Sequence, residues 1–174
     1  MNLVECARCF AIAAHESIQQ RRKYTGEPYW YRSQRVAELV ESVNGTQEQI
    51  AAAWLHDVVE DTGVTIEVIR DMFGETVAEY VDDLTNVSKP SDGDRATRKN
   101  IDKEHTATAS PEAKTIKLAD VIDNTNDIVS HDLKFAKVYL KEKLALLEVL
   151  KEGNEELYKQ AEEVANADIK NLGL

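Results

Sequence analysis

The chain has 174 residues and a formal net charge of −11. That length suits one domain with a real core. With no basic run longer than Arg21-Arg22-Lys23, it lacks the broad positive face that polymeric nucleic acid calls for, although a small anion in a local basic pocket is compatible. Glycine and proline are scarce, and Ala, Glu, Lys, Leu and Val dominate, a composition that favours helices. Met1 to Ala14 is interrupted by Glu5 and Arg8, so it reads as neither signal peptide nor membrane span. No other apolar run approaches membrane length, and the expectation is a soluble, cytoplasmic protein without membrane contact.

In chain order, Leu3, Val4, Ala7, Phe10, Ala11, Ala14 and Ile18 recur at helical spacing and predict a first helix over residues 3 to 23. His15, at the edge of that stripe, reads as a packing residue. Cys6 and Cys9, the only cysteines, are at most half of a zinc site and read as buried thiols packing as small hydrophobes. Arg21-Arg22-Lys23 would close the helix beside the negative end of its dipole, either solvated or meeting an anion. Tyr24 to Tyr31 is a Gly/Pro-punctuated loop with three tyrosines and a tryptophan. Its rings suit stacking on a planar base, and equally suit a loop pinned to the core. A second helix, about Ser33 to Val43, stops at Asn44-Gly45, and Thr46 with Gln49 predicts a capping box for the next one.

That next helix holds Ala51-Ala-Ala-Trp-Leu-His-Asp-Val-Val-Glu-Asp61, read as continuous to Asp61-Thr62-Gly63. Helical spacing puts His56 with Glu60 on one face and Asp57 with Asp61 on one face, with Asp57 and Glu60 at i,i+3. Ile50, Trp54, Leu55, Val58 and Val59 make the surroundings apolar. Carboxylates gathered there repel and lose hydration, so they need a cation or a proton. A bound metal ion meets that need; a solvated acidic helix end with a capping His is the alternative.

Thr65 then caps a short helix to about Phe73, and another runs from Gly74 to about Asn86. Val87 to Asp94 is a long loop, and Arg95, Arg98 and Lys99 open the following helix as a phosphate contact or a solvated face. Ser110-Pro111-Glu112 is a strong helix start. In the helix it opens, Lys117, Asp120, Asn124 and Asp127 form one polar line among Ile116, Ala119 and Ile122. His131-Asp132 reads as a helix–helix corner. Phe135 to Leu150 builds another amphipathic helix, Gly153 breaks it, and residues 154 to 172 form a last, charged one. No segment alternates with period two, and the fold expected is all-α, a bundle of about eight or nine helices.

His56-Asp57-Val58-Val59-Glu60-Asp61-Thr62 together with Lys117-Leu118-Ala119-Asp120 resembles the HD-domain phosphohydrolases, in the branch of the RelA/SpoT-type hydrolases and their small stand-alone alarmone hydrolases. Arg22-Lys23-Tyr24-Thr25-Gly26-Glu27-Pro28-Tyr29 is similar to that family's substrate loop, and Val36-Ala37 follows at the family's distance. The match spans about residues 7 to 150 of a single HD-type domain, with 151 to 174 as a helical extension. The resemblance implies an all-helical fold with one divalent metal, usually manganese, and removal of the 3′-pyrophosphate from guanosine tetra- or pentaphosphate. Carried over by position, His56, Asp57 and Asp120 are metal ligands, and Glu60 and Asp61 orient and deprotonate the attacking water. Asn124 contacts substrate, and Arg22 and Lys23 meet the guanine or a phosphate. A homo-oligomer is compatible with the sequence, and its hydrophobic stripes identify no interface.

Two positions depart from the family. Where relatives place a fourth ligand, a His followed by Pro, this chain has Arg32-Ser33; where they carry an Arg, it has Asn126. A guanidinium donates only and stays protonated, so Arg32 cannot ligate a cation and competes for the carboxylates instead. Three readings follow: a three-ligand hydrolase completed by water, a domain that binds nucleotides without turning them over, and a protein-interaction module. The intact set of His56, Asp57, Glu60, Asp61 and Asp120 marks the loss at Arg32 as recent and favours descent from a metal-dependent nucleotide pyrophosphohydrolase.

Overall fold

The structure, a computed structural model, describes residues 2–173. The described residues contain ten α-helical segments: α1 Leu3–Ser17, α2 Trp30–Ser42, α3 Gln47–Leu55, α4 Val58–Asp61, α5 Ile66–Phe73, α6 Glu75–Leu84, α7 Arg95–Ala107, α8 Pro111–His131, α9 Leu133–Leu147 and α10 Glu155–Leu172. A 3-10 turn, Pro90–Asp92, precedes α7. Among the described residues the sole β pairing is a single bridge between Arg21 and Pro28, and no helix is long and apolar enough to cross a membrane. The all-α class agrees with the periodicity. The eight or nine helices expected are there, with one-turn α4 cut from α3 as a tenth segment.

The helices gather into two compact units, one ending at Thr85 and one beginning at Asn86. In the first, α3 is the central rod, and α1, α2 and α6 all pack on it. Ala51, Ala52 and Ala53 are fully buried, and their small side chains let three neighbours approach closely. Facing them are Ala7 and Ala11 of α1, Val36, Ala37 and Val40 of α2, and Val77, Ala78 and Val81 of α6. The capping box read at Thr46 and Gln49 is present in both directions. Cys6 and Cys9 correct the expectation of two buried thiols. Cys6 is half-buried and Cys9 exposed, because the core face of α1 runs through Ala7, Ala11 and His15 and leaves Cys9 opposite.

The first helix is shorter than its periodicity predicts. It ends at Ser17 rather than 23, because Gln19 takes a left-handed φ of 51°. Gln20 N–H donates to His15 O at 3.1 Å and Gln19 N–H to Glu16 O at 2.9 Å, the paired bonds of a Schellman turn built without glycine. Ile18, read as inward, is therefore half exposed beyond the helix end. Arg22 N–H then donates to Glu27 O and Tyr29 N–H to Gln20 O, folding the loop back on itself.

In the second unit α8 is the core element, with α9 and α10 packed on it and on each other. Ile116, Leu118, Ala119, Val121 and Ile122 are buried, as are Leu157, Ala161 and Ala165 of α10, spaced four apart. The charged last helix is thus part of this unit's core. Ser110 caps α8, and Asp132 caps α9 at the corner read from His131-Asp132. Asp102 accepts from Val87 N–H, Ser88 N–H and Ser88 Oγ, which ties the preceding loop to α7.

Gly153 lies tight against α8. A Cβ there would meet Leu118 Cδ1 at 2.8 Å and the Lys114–Thr115 backbone at 3.1 Å. Gly153→Ala is expected to cost about 1–3 kcal/mol by overpacking, whereas Gly63→Ala, with no atom within 4 Å of the added carbon, changes stability by less than about 1 kcal/mol. Chemical denaturation of the two variants checks this; equal midpoints contradict the packing.

Candidate active site

The central helix does not run through to Asp61 as its sequence predicts. It breaks at His56 and Asp57, with Asp57 at φ −101° and ψ −3°, in a sparsely populated region where many active-site residues sit. In a continuous helix these neighbours would point about 100° apart. Instead His56 Nε2 lies 3.0 Å from Asp57 Oδ2. The geometry of one continuous helix is corrected accordingly: His56 and Asp57 touch, Asp61 accepts from Gln20 while still under the Asp57 charge, and Glu60 lies exposed on α4.

Helix α2 starts three residues before the predicted Ser33, so Arg32 falls in its first turn and points inward. Its Nε donates to Asp57 Oδ2 at 3.1 Å, with 6 % of the guanidinium side chain exposed. Tyr29, just ahead of the helix, donates its hydroxyl to the same oxygen at 2.8 Å. Burial, then the neighbouring Asp57 charge, pushes the Tyr29 phenol far above its usual pKa, so it remains a donor. Of the two uses open to the aromatic loop, Tyr29 serves the one that pins it to the core. Trp30 donates to Glu16 at 3.2 Å and stacks on Tyr31 with centroids 3.9 Å apart.

Hydrogen-bond logic fixes the character of His56. Its Nδ1 is 2.7 Å from Ala53 O, an atom that only accepts, so Nδ1 carries a proton. In the neutral ring Nε2 then presents a lone pair to the Asp57 carboxylate. Only a proton or a cation reconciles the two, and the pair therefore fits two ligand positions of a divalent ion. Arg32 already sets a positive charge on that oxygen. Among the described residues no three His, Cys, Asp or Glu side chains form a ready metal cluster.

Asp61, at the end of α4, accepts from Gln20 Nε2 at 2.9 Å, and Gln20 Oε1 is 2.7 Å from His15 Nδ1. Burial, then the Asp57 charge, holds the Asp61 carboxyl above its usual range, which strengthens it as a proton acceptor near neutrality. Arg22 is buried in the folded-back loop, and exposed Lys23 sits over the Tyr24 ring at 4.8 Å. Neither closes a helix as predicted, because α1 has already ended. In the second unit, Asp120 is buried on α8 beside Lys117 at 3.2 Å, with Asn124 half-buried one turn on. His15 is the packing residue its position predicts, buried against Tyr29 and bonded to Gln20; Tyr29 and Gln20 as partners of these acids carry no signal in the sequence, since their contacts lie far along the chain.

The HD-domain family profile matches residues 7–167, and the chain belongs to that family. It is 37 % identical over 123 residues to the guanosine-3′,5′-bis(diphosphate) 3′-pyrophosphohydrolase MESH1 of Drosophila melanogaster, covering 69 % of this chain and 67 % of that one. A probable guanosine-3′,5′-bis(diphosphate) 3′-pyrophosphohydrolase of Synechocystis is 48 % identical over 83 residues, 48 % of this chain. The enzyme named without that qualifier in Aquifex aeolicus is 37 % identical over 128 residues, 71 % of this chain. The chain spans 10 % and 18 % of the lengths of those two bacterial relatives. A solved structure, described as a metazoan orthologue of SpoT that hydrolyses ppGpp, superposes with a TM-score of 0.85 at 26 % identity over 96 % of each chain.

Burial lowers the pKa of His15 from its usual 6.5. Below pH 6.5 the unfolded chain takes up a proton that the folded chain resists, so stability present above 6.5 is lost as pH falls through the window beneath it. His15→Asn, which does not titrate, is expected to lose less stability between pH 7.5 and 5.5 than the unaltered chain. Melting curves at the two pH values check this, and an unchanged pH dependence contradicts it.

Proposed function

We propose that this chain is a metal-dependent nucleotide hydrolase that removes the 3′-pyrophosphate of guanosine 3′,5′-bis(diphosphate), a diffusible nucleotide of the cytoplasm. The observation that carries this is the His56–Asp57 pair, a lone-pair nitrogen 3.0 Å from a carboxylate oxygen, set in the motif of a family whose relatives bear that activity in their names.

His56 and Asp57 would hold the ion, and Asp120 is carried over as a ligand on the strength of its motif alone. A His-and-carboxylate set is hard enough to favour manganese or magnesium over zinc. A divalent ion, when bound, lowers the pKa of a bound water and neutralises charge on the phosphoryl oxygens. Asp61, with its raised proton affinity, accepts the water's proton, and Glu60 on the same turn orients that water. Such a base contributes on the order of 10²- to 10⁴-fold. Arg22, Lys23 and Asn124 serve the nucleotide, the two cations its phosphates or base and the amide its polar edge.

Arg32 sets how tightly the ion is held. Two unit charges near 4 Å interact by roughly 4 kcal/mol at an effective dielectric of about 20, and the cost of burying both charges offsets part of that. A second reading rests on the same contact: Arg32, buried and seated on Asp57, substitutes for the ion, and the domain binds nucleotide without cleaving it.

Pyrophosphate release from guanosine tetraphosphate is measured with manganese, alongside the manganese concentration that half-maximally raises the melting point. The expected result is turnover at elevated manganese, and Arg32→His lowering the half-maximal concentration on the order of 10- to 1000-fold. Nucleotide stabilisation of both proteins, with pyrophosphate release only from Arg32→His, establishes the second reading. No response of either protein to manganese contradicts the metal site.

A further inference from the structure

The core stripe of α1 runs through Ala7, Ala11 and His15, all fully buried, and its third member is polar. An imidazole is a costly core residue. His15 Nε2 finds no hydrogen-bond partner among the described residues, and an unsatisfied buried polar atom is destabilising. Shape alone would be served by an apolar ring, since His15 packs against the Tyr29 ring with centroids 4.9 Å apart. What His15 supplies beyond shape is Nδ1, 2.7 Å from Gln20 Oε1.

The direction of each bond follows from the far end. An ionised Asp61 carboxylate only accepts, so the Gln20 amide turns its NH₂ to Asp61, at 2.9 Å. Its carbonyl is left facing His15, which must donate from Nδ1. The backbone builds this contact. In the Schellman turn that ends α1, His15 and Gln20 are the two residues whose side chains usually meet in an apolar contact. Here that contact is a hydrogen bond, and Gln19 accepts the unfavourable left-handed φ that places Gln20.

We infer that His15 and Gln20 are positioning residues for Asp61, a two-link hydrogen-bonded relay from the core face of α1 to the carboxylate that accepts the proton of the attacking water. What Asp61 does rests on the hydrolase reading above; the relay itself rests on the bonds just described. The Gln20 amide fixes Asp61 through Oδ2, and loss of that orientation costs rate without costing substrate affinity.

Two measurements on the full chain test this. Long-range ¹H–¹⁵N correlation spectra at pH 7.5 should find the His15 ring neutral and protonated on Nδ1, the tautomer less favoured in water, with the proton moving to Nε2 in Gln20→Leu. A ring protonated on Nε2 or on both nitrogens in the unaltered chain, or a spectrum indifferent to Gln20→Leu, overturns the relay. In the kinetic arm, His15→Asn keeps a donor near the Nδ1 position and His15→Phe keeps the ring alone. His15→Phe should lose at least about tenfold in kcat with KM within about twofold, and His15→Asn should stay within about threefold of the unaltered chain. Equal losses in the two variants, at matched melting points, overturn the positioning role. Absence of turnover in every form, Arg32→His included, removes the hydrolase reading and Asp61's role with it; the hydrogen-bonded relay then stands or falls on the tautomer.

Discussion

One carboxylate oxygen, Oδ2 of Asp57, receives a phenol, a guanidinium and an imidazole nitrogen within 3.1 Å. Those three groups come from the end of the folded-back loop, the first turn of α2 and the end of α3. Their convergence accounts for local features that no single segment explains. The helix breaks at His56–Asp57 so that two sequence neighbours can face each other, α2 begins early enough to turn Arg32 inward, and Tyr29 is held down rather than left for a ligand. Two donors, one of them a fixed cation, stabilise that oxygen, while the lone pair of His56 Nε2 faces it and calls for a proton or a cation between them.

Much of the fold was legible because it is written in local patterns. Caps at Thr46 and Ser110, the corner at His131-Asp132, the break at Gly74 and the apolar spacing of α6 and α8 are short-range signals that the structure repeats. The family motif likewise pointed to His56 and Asp57 as a pair. Illegible features were those decided by tertiary contact. Nothing between Ala51 and Asp61 is a helix breaker by propensity; the kink at Asp57 answers to Tyr29 and Arg32, more than twenty residues away. The early end of α1 depends on a left-handed Gln19, a position that glycine usually announces. His15 packs as its position predicts, but its bond to Gln20 depends on that early end and is invisible to a helix read as continuing to residue 23.

Arg32 stands where the family resemblance read from the sequence expects an imidazole. A structure that superposes at a TM-score of 0.85 at 26 % identity says that the scaffold tolerates wide substitution, so a change at one buried position can alter local chemistry within the same frame of helices. Exchanging an imidazole for a guanidinium replaces a lone-pair donor by a fixed cation. Asp57 then has a resident partner, and any ion must displace it. In the proposed function, hydrolysis and simple nucleotide binding differ by the position of that one side chain.

Anomalous diffraction from crystals of the unaltered chain grown with saturating manganese tests this most directly. The account predicts a manganese peak within coordinating distance of His56 Nε2 and Asp57 Oδ2, with the Arg32 guanidinium moved off the carboxylate. Density in which Arg32 still holds Asp57 and no anomalous peak lies beside His56 would contradict it.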